Sequence, residues 1–243
     1  MSAAPNDDVL LRVWEKNHGA HPIRRALALL NAAWPEVGMQ AWAQASIGER
    51  DGCLLSLYET LFGAQLQTIA HCPRCGERLE TSFTSRDIRV HPPALPVPRS
   101  ESPQLHWREQ GYELAYRLPN SEDLLQITDE SQLLRRCVVS ARHGGTAVEP
   151  GQLPPEVVEH LMADMARQDP DAEVLIGLTC PACQHAWRLG FDIVSHLWGE
   201  LEDWVQRTLA DVHGLACAYG WAERDILAMS ATRRQLYLDM VRA

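Results

Sequence analysis

The sequence predicts an α+β fold, mainly helical, with two β-hairpins that each carry a cysteine pair at the turn. Three observations predict it. Cys72-Pro73-Arg74-Cys75 and Cys180-Pro181-Ala182-Cys183 repeat one Cys-x2-Cys pattern with Pro in the same place. Their flanks alternate with period two: Leu66, Thr68 and Ala70 before the first pair, Val174, Ile176 and Leu178 before the second, then Leu79 and Phe83, and Trp187 and Phe191, after them. Such alternation on both sides of a short turn reads as strand, turn and returning strand. Elsewhere, apolar residues recur in steps of three and four, the mark of amphipathic helices.

Two facing hairpins of this kind supply four thiolates, which suits tetrahedral zinc. Cys72, Cys75, Cys180 and Cys183 are therefore the expected metal ligands, forming a split zinc-ribbon-like site for one structural Zn2+. A four-cysteine shell leaves no open position for water or substrate, so such a site contributes folding energy. Rival readings are weaker. A redox Cys-x-x-Cys should open a helix, whose N-terminus lowers the thiol pKa, and neither pair is followed by a helical pattern. A disulfide framework needs an export context, and the first residues lack a charged-then-apolar signal segment. Two pairs of unmetallated core cysteines would not explain the repeated flanks. His71 and His185 adjoin the pairs and could replace a ligand, but four cysteines suffice.

Taken in order, residues 1–8 are small, polar and acidic and read as a flexible tail. Residues 9–63 form an N-terminal helical region. Val9–Trp14 is a short apolar stretch. Pro22 opens a helix through Leu30 that ends near Trp34-Pro35. Ala41–Ala45 reads as a further short turn. Ile47-Gly48-Glu49-Arg50-Asp51 leads into a helix carrying Leu54, Leu55, Leu57, Tyr58, Leu61 and Phe62, stopped by Gly63. Residues 64–91 make the first knuckle hairpin. Residues 92–103 are a proline-rich connection in which Pro92, Pro93, Pro96, Pro98 and Pro103 exclude a regular helix or a central strand.

Residues 104–170 read as an inserted α+β region. Leu105–Arg108 and Tyr112–Leu118 form a β pair. A helix follows with Ser121 as its cap and Leu124 as its first buried residue. Leu133–Val139 is an apolar run containing Cys137. Pro154-Pro155 opens a helix with Val157, Val158, Leu161, Met162 and Met165 inward, closed by Asp169-Pro170. Residues 171–192 are the second knuckle hairpin. Residues 193–243 are a C-terminal helical region, strongest from Val194 to Tyr219, with Gly220 as stop and two shorter helices beyond.

The composition excludes several classes. The formal net charge is -10 over 243 residues, and four thiolates would make it more negative. That balance argues against a general nucleic-acid surface, which needs a basic field. No run of eighteen apolar residues exists, so no membrane-spanning helix is expected. Seven cysteines without an export signal suit a reducing cytoplasm. Cys53, Cys137 and Cys217 lie in helical patterns and are expected to be buried small hydrophobes. Trp187, Trp198, Trp204 and Trp221 are expected to fill a core.

No catalytic set assembles. Glu200, Glu202 and Asp203 read as the solvated face of a helix, and His213 as a core or interface histidine. Ser46, Ser195 and Ser230 lack a nucleophile elbow. His143-Gly144-Gly145-Thr146 lacks the Lys of a phosphate loop. The pairs Arg24-Arg25 and Arg233-Arg234 read as charges near helix ends.

Several words in sequence carry a family resemblance: Ile47-Gly48-Glu49-Arg50-Asp51, Phe62-Gly63, the first knuckle, Leu118-Pro119-x-Ser121-x-Asp123-Leu124, Arg136-Cys137-Val138, Asp169-Pro170-x-Ala172, the second knuckle, Phe191-Asp192-Ile193, Leu197-Trp198-x-Glu200, and His213-x-Leu215-Ala216-x-x-Tyr219-Gly220-Trp221 with Arg233-Arg234-x-x-Tyr237-Leu238. In this order they resemble the small T4-type phage baseplate hub and hub-assembly proteins, a family also found with phage-derived contractile injection systems. The resemblance covers residues 20–241. It implies a non-enzymatic structural or assembly role, with baseplate, hub or spike proteins of a contractile tail-like particle as partners, and a cytoplasmic protein that can enter that particle. Two other classes stay open on the residues alone: a zinc-ribbon nucleic-acid-binding or transcription-associated module, and a Cys-x-x-Cys thiol redox enzyme.

Overall fold

The computed structural model describes residues 5–90 and 103–242. Residues 92–102 of the proline-rich connection and residues 1–4 of the tail lie outside these. The first helix, α1 (Asp7–Asn17), begins inside the segment expected as a tail. The Asn6 side chain accepts from the Val9 amide at 2.9 Å, and Asp7 and Asp8 occupy the first turn. A cap and two carboxylates at a helix N-terminus satisfy free amides and suit the dipole.

Helices α2 (Pro22–Ala33), α3 (Met39–Gln44) and α4 (Ile47–Phe62) follow. Pro22 sits at the first turn of α2. Ser46 and Glu49 form a reciprocal capping box on α4, and Gly63, at φ 90°, ends it. Leu30, Trp42, Leu54 and Leu57 pack with Leu197, Leu201 and Val205 of a long C-terminal helix, α9 (Ile193–Tyr219), to make the largest core.

The two cysteine segments form separate antiparallel hairpins. β1 (Gln65–His71) pairs with β2 (Arg78–Thr84), and β7 (Val174–Thr179) with β8 (Ala186–Phe191). Each hairpin runs into a helix: β2 into the short α5 (Ser85–Ile88), and β8 into α9, where Asp192 accepts from the Val194 amide at 3.0 Å. An isolated two-stranded hairpin is marginal in water. Here the hairpins meet at their bases, where Phe83 and Phe191 make an edge-on ring contact at 5.4 Å, and Leu66 anchors the first in the core.

Between the hairpins stands a four-stranded antiparallel sheet in sequential order: β3 (Leu105–Glu109), β4 (Tyr112–Tyr116), β5 (Val138–His143) and β6 (Thr146–Ala147). Gln110 and Gly111, both at positive φ, turn β3 into β4. Helices α6 (Ser121–Leu124), α7 (Glu130–Cys137) and α8 (Pro155–Gln168) complete the region. Trp107, Tyr116, Cys137, Leu161 and Met165 form its own core.

The start of α6 corrects the sequence reading. Asn120, rather than Ser121, is the cap, accepting from the Asp123 amide at 3.0 Å. The buried residues of this turn are Ser121 and Asp123, while Leu124 stays half-exposed. Asp123 is fully buried because Arg117 grips it bidentately at 2.5 and 2.7 Å and Arg136 adds a contact at 2.8 Å. Burial alone would raise this carboxyl, but the two guanidiniums outweigh it and hold it below the ordinary carboxylate range.

After α9, Gly220 adopts the left-handed conformation and ends the helix. α10 (Glu223–Leu227) and α11 (Ala231–Arg242) fold back on it through Val212, Leu215, Ile226 and Leu238. Arg234 is buried, bonds the Met229 carbonyl at 3.0 Å and pairs with Asp7 at 2.7 Å. One member of an arginine pair read as a helix-end charge thus ties the C-terminal helix to α1. Arg25 likewise lies over the Trp198 ring at 4.8 Å.

Candidate metal centre

Both hairpin turns have one backbone geometry. The Cys72 amide donates to the Glu77 carbonyl and the Gly76 amide to the Cys72 carbonyl, each at 2.9 Å. In the second turn, Cys180 donates to His185 and Gln184 to the Cys180 carbonyl, again at 2.9 Å. Gly76 (φ 76°) and Gln184 (φ 57°) hold the equivalent left-handed position. This fold of the turn points both sulfurs of a pair the same way.

The tips meet. Cys72 Sγ lies 3.7 Å from Cys183 Sγ, and Cys75 Sγ 3.6 Å from Cys180 Sγ. All four sulfurs lie within 4.8 Å of one another. Zinc–thiolate bonds of about 2.3 Å place sulfurs at tetrahedron corners about 3.8 Å apart, so the two cross-hairpin distances already match its edges. Four cysteines so placed could hold a metal ion. Cys72 and Cys180 are buried, Cys183 half-buried and Cys75 exposed, so the cluster sits at the surface with one side shielded.

Within the first pair the two thiols are driven in opposite directions. At Cys72 burial opposes ionisation, but the amides of Cys75 and Arg74 donate to the sulfur and pull the thiol down to about 7. At Cys75 the Glu77 amide favours the thiolate, yet the neighbouring sulfurs, Cys183 first, push the thiol up to about 12. One thiolate forms readily and disfavours the next. A divalent cation relieves that repulsion.

Other candidates fall elsewhere. His71 is exposed, and His185 stacks on Trp187 at 6.1 Å; neither belongs to the sulfur cluster. Among the described residues, no other group of three or more potential ligands could hold an ion. Cys137 is buried and its thiol is raised to about 11 by desolvation. Cys53 is half-buried, whereas Cys217 is exposed beside an exposed His213; the helical pattern hid that these two lie on the outer face of α9. Trp198 is buried, while Trp187, Trp204 and Trp221 are only partly so.

A second constellation, which no spacing or periodicity in the sequence marks, lies at the seam between the helical core and the inserted region. The Gly48 amide donates to Asp169 Oδ2 at 2.9 Å, the Ile47 amide to the Pro119 carbonyl at 3.2 Å, and Arg50 Nη1 to Ser121 Oγ at 3.2 Å. Arg50 is buried and also holds Asp51 at 2.7 Å. Residues 47–51, 118–124 and 169–172, separated along the chain, therefore meet in one place, and no periodicity in the sequence marks that meeting.

A family described as T4 bacteriophage base plate protein matches residues 36–195. That span contains both hairpins, the inserted sheet and the seam. No curated protein and no solved structure matches the chain. Among the described residues, no helix is long and apolar enough to cross a membrane.

Proposed function

The chain belongs to the T4 bacteriophage base plate protein family, and from that premise we propose a non-enzymatic, zinc-stabilised structural or assembly protein of a contractile tail or injection-system baseplate. It acts through contacts with hub, spike or other baseplate proteins. Cys72, Cys75, Cys180 and Cys183 hold one Zn2+ as a split zinc-ribbon-like staple. The observation that carries this reading is the convergence of four sulfurs from two distant hairpins into one cluster.

The physical logic is mechanical. The two hairpins frame the inserted sheet region in the chain, and each is too small to be stable alone. Closing them with a metal fixes the orientation of the hairpins, and with it the surface that the inserted region presents. The division into a helical region at 9–63, hairpins at 64–91 and 171–192, an insert at 104–170 and a C-terminal helical region at 193–243 belongs to the same proposal. Assembly takes place in the reducing cytoplasm, where the thiols stay available for metal.

Copurification of the tagged full chain with baseplate or spike proteins tests the role. Co-isolation with those components is the expected result. Normal baseplates formed in the absence of the protein would refute it.

A further inference from the structure

We infer that the apolar cleft at the seam between the inserted region and the helical core is the docking site for a segment of a neighbouring baseplate component. That segment carries one large apolar side chain beside a lysine or arginine. The inference rests on the baseplate reading and names a contact surface within it.

The cleft has a volume of about 270 Å³ and is walled by Ile47, Leu118, Leu133, Leu134, Met162 and Met165. Small-molecule pockets usually run from about 300 to 1,000 Å³, so this one suits one or two side chains better than a cofactor. Met162 is 45% exposed, a large apolar group left open to water at its rim. Methionines adapt their shape to an inserted group, and buried anchors in pockets dominate protein interfaces.

The charge of the lining decides the occupant's other feature. The charged residues that line the cleft are Asp169 and Glu173, both acidic. Asp169 turns its carboxylate toward the Gly48 backbone and is held there by the Gly48 amide, so exposed Glu173 is the acid that an occupant of the cleft meets. The whole chain carries a formal net charge of -10. A basic residue next to the apolar anchor complements that rim, and complementary charge sets orientation and encounter rate. The Ile47–Pro119 and Gly48–Asp169 bonds hold the two sides of the seam together, so the cleft exists before anything binds.

A diazirine amino acid placed at position 162 of the full chain tests this in assembled particles and their assembly complexes. Cross-linked peptides are identified by mass spectrometry, with a diazirine at exposed Met240 as comparison. The expected product joins position 162 to a different component, at an apolar residue within a few positions of a lysine or arginine. Glu173→Arg should lower its yield at least fivefold while leaving the urea midpoint of the isolated chain unchanged. Cross-links confined to the chain itself, including residues 91–102, overturn the inference, as does a yield indifferent to Glu173→Arg. Absence of the protein from every particle and complex overturns the baseplate reading as well; presence without a cross-link from 162 overturns the docking site alone.

Discussion

Gly48 presses its backbone against Asp169. Its amide donates to Oδ2 at 2.9 Å, and a methyl group on its Cα would overlap Oδ1 and stand 2.8 Å from Cγ and 2.9 Å from the Ala172 amide nitrogen. The first turn of α4 thereby locks onto the turn that introduces the second hairpin, at residues distant in the chain. Gly52, one helical turn on, has open space where its Cβ would be.

These two glycines make a controlled pair. Gly48→Ala should destabilise by about 1–3 kcal/mol through overpacking and weaken the seam. Gly52→Ala should stabilise by about 0.5–1 kcal/mol, the usual gain in a helix interior. Urea titrations of both variants check the opposite signs. Equal effects would mean that the seam does not need the bare backbone at Gly48.

The Arg234–Asp7 pair predicts an asymmetry. Arg234 is 3% exposed and Asp7 32%. Asp7→Ala leaves the guanidinium buried with the Met229 carbonyl at Nη1 and Nε unpartnered among the described residues, and should cost about 3 kcal/mol, as for other broken buried pairs. Arg234→Met keeps apolar volume and returns Asp7 toward water, so it should cost less. Thermal unfolding of the two variants decides the order.

His196 predicts a pH dependence. Its ring lies 5.2 Å from Tyr58 and 5.3 Å from Phe191, and its Nε2 has no hydrogen-bond partner among the described residues. Burial lowers its pKa below the ordinary value of 6.5, against a smaller opposing effect of Glu200. Above that ordinary value both folded and unfolded forms are neutral, and the contribution of His196 to stability is fully present. As pH falls below it, the unfolded chain takes up the proton first and stability declines until the lower folded value is reached. His196→Phe should flatten this part of the stability curve, measured by denaturant midpoints between pH 7 and 5. An unchanged slope would mean that His196 does not contribute to the pH dependence of stability.

The hairpins and the two cysteine pairs at their turns were legible because both are local. Period-two alternation and Cys-x2-Cys spacing each act within a few residues, as at Leu66, Thr68, Ala70 and Cys72. The equivalence of Gly76 and Gln184 was not legible, since the second turn places a non-glycine residue in the left-handed position. The seam was not legible either. Arg50–Ser121 and Gly48–Asp169 are polar contacts between distant segments, and no periodicity marks which loops meet. Buried Asp123 inverts the usual rule that apolar residues lead a helix inward, because two arginines compensate its charge. Asn6 extends α1 into a stretch whose composition alone looked like a tail.

Metal analysis of the purified full chain, beside Cys72→Ser and Cys180→Ser, decides whether the two hairpins share one ion. A staple shared by both hairpins would give about one zinc per wild-type chain, loss of that zinc in both variants and a lower unfolding midpoint for each, because either substitution would open the tetrahedral shell. Zinc retained at full stoichiometry in both variants would contradict a shared four-cysteine site.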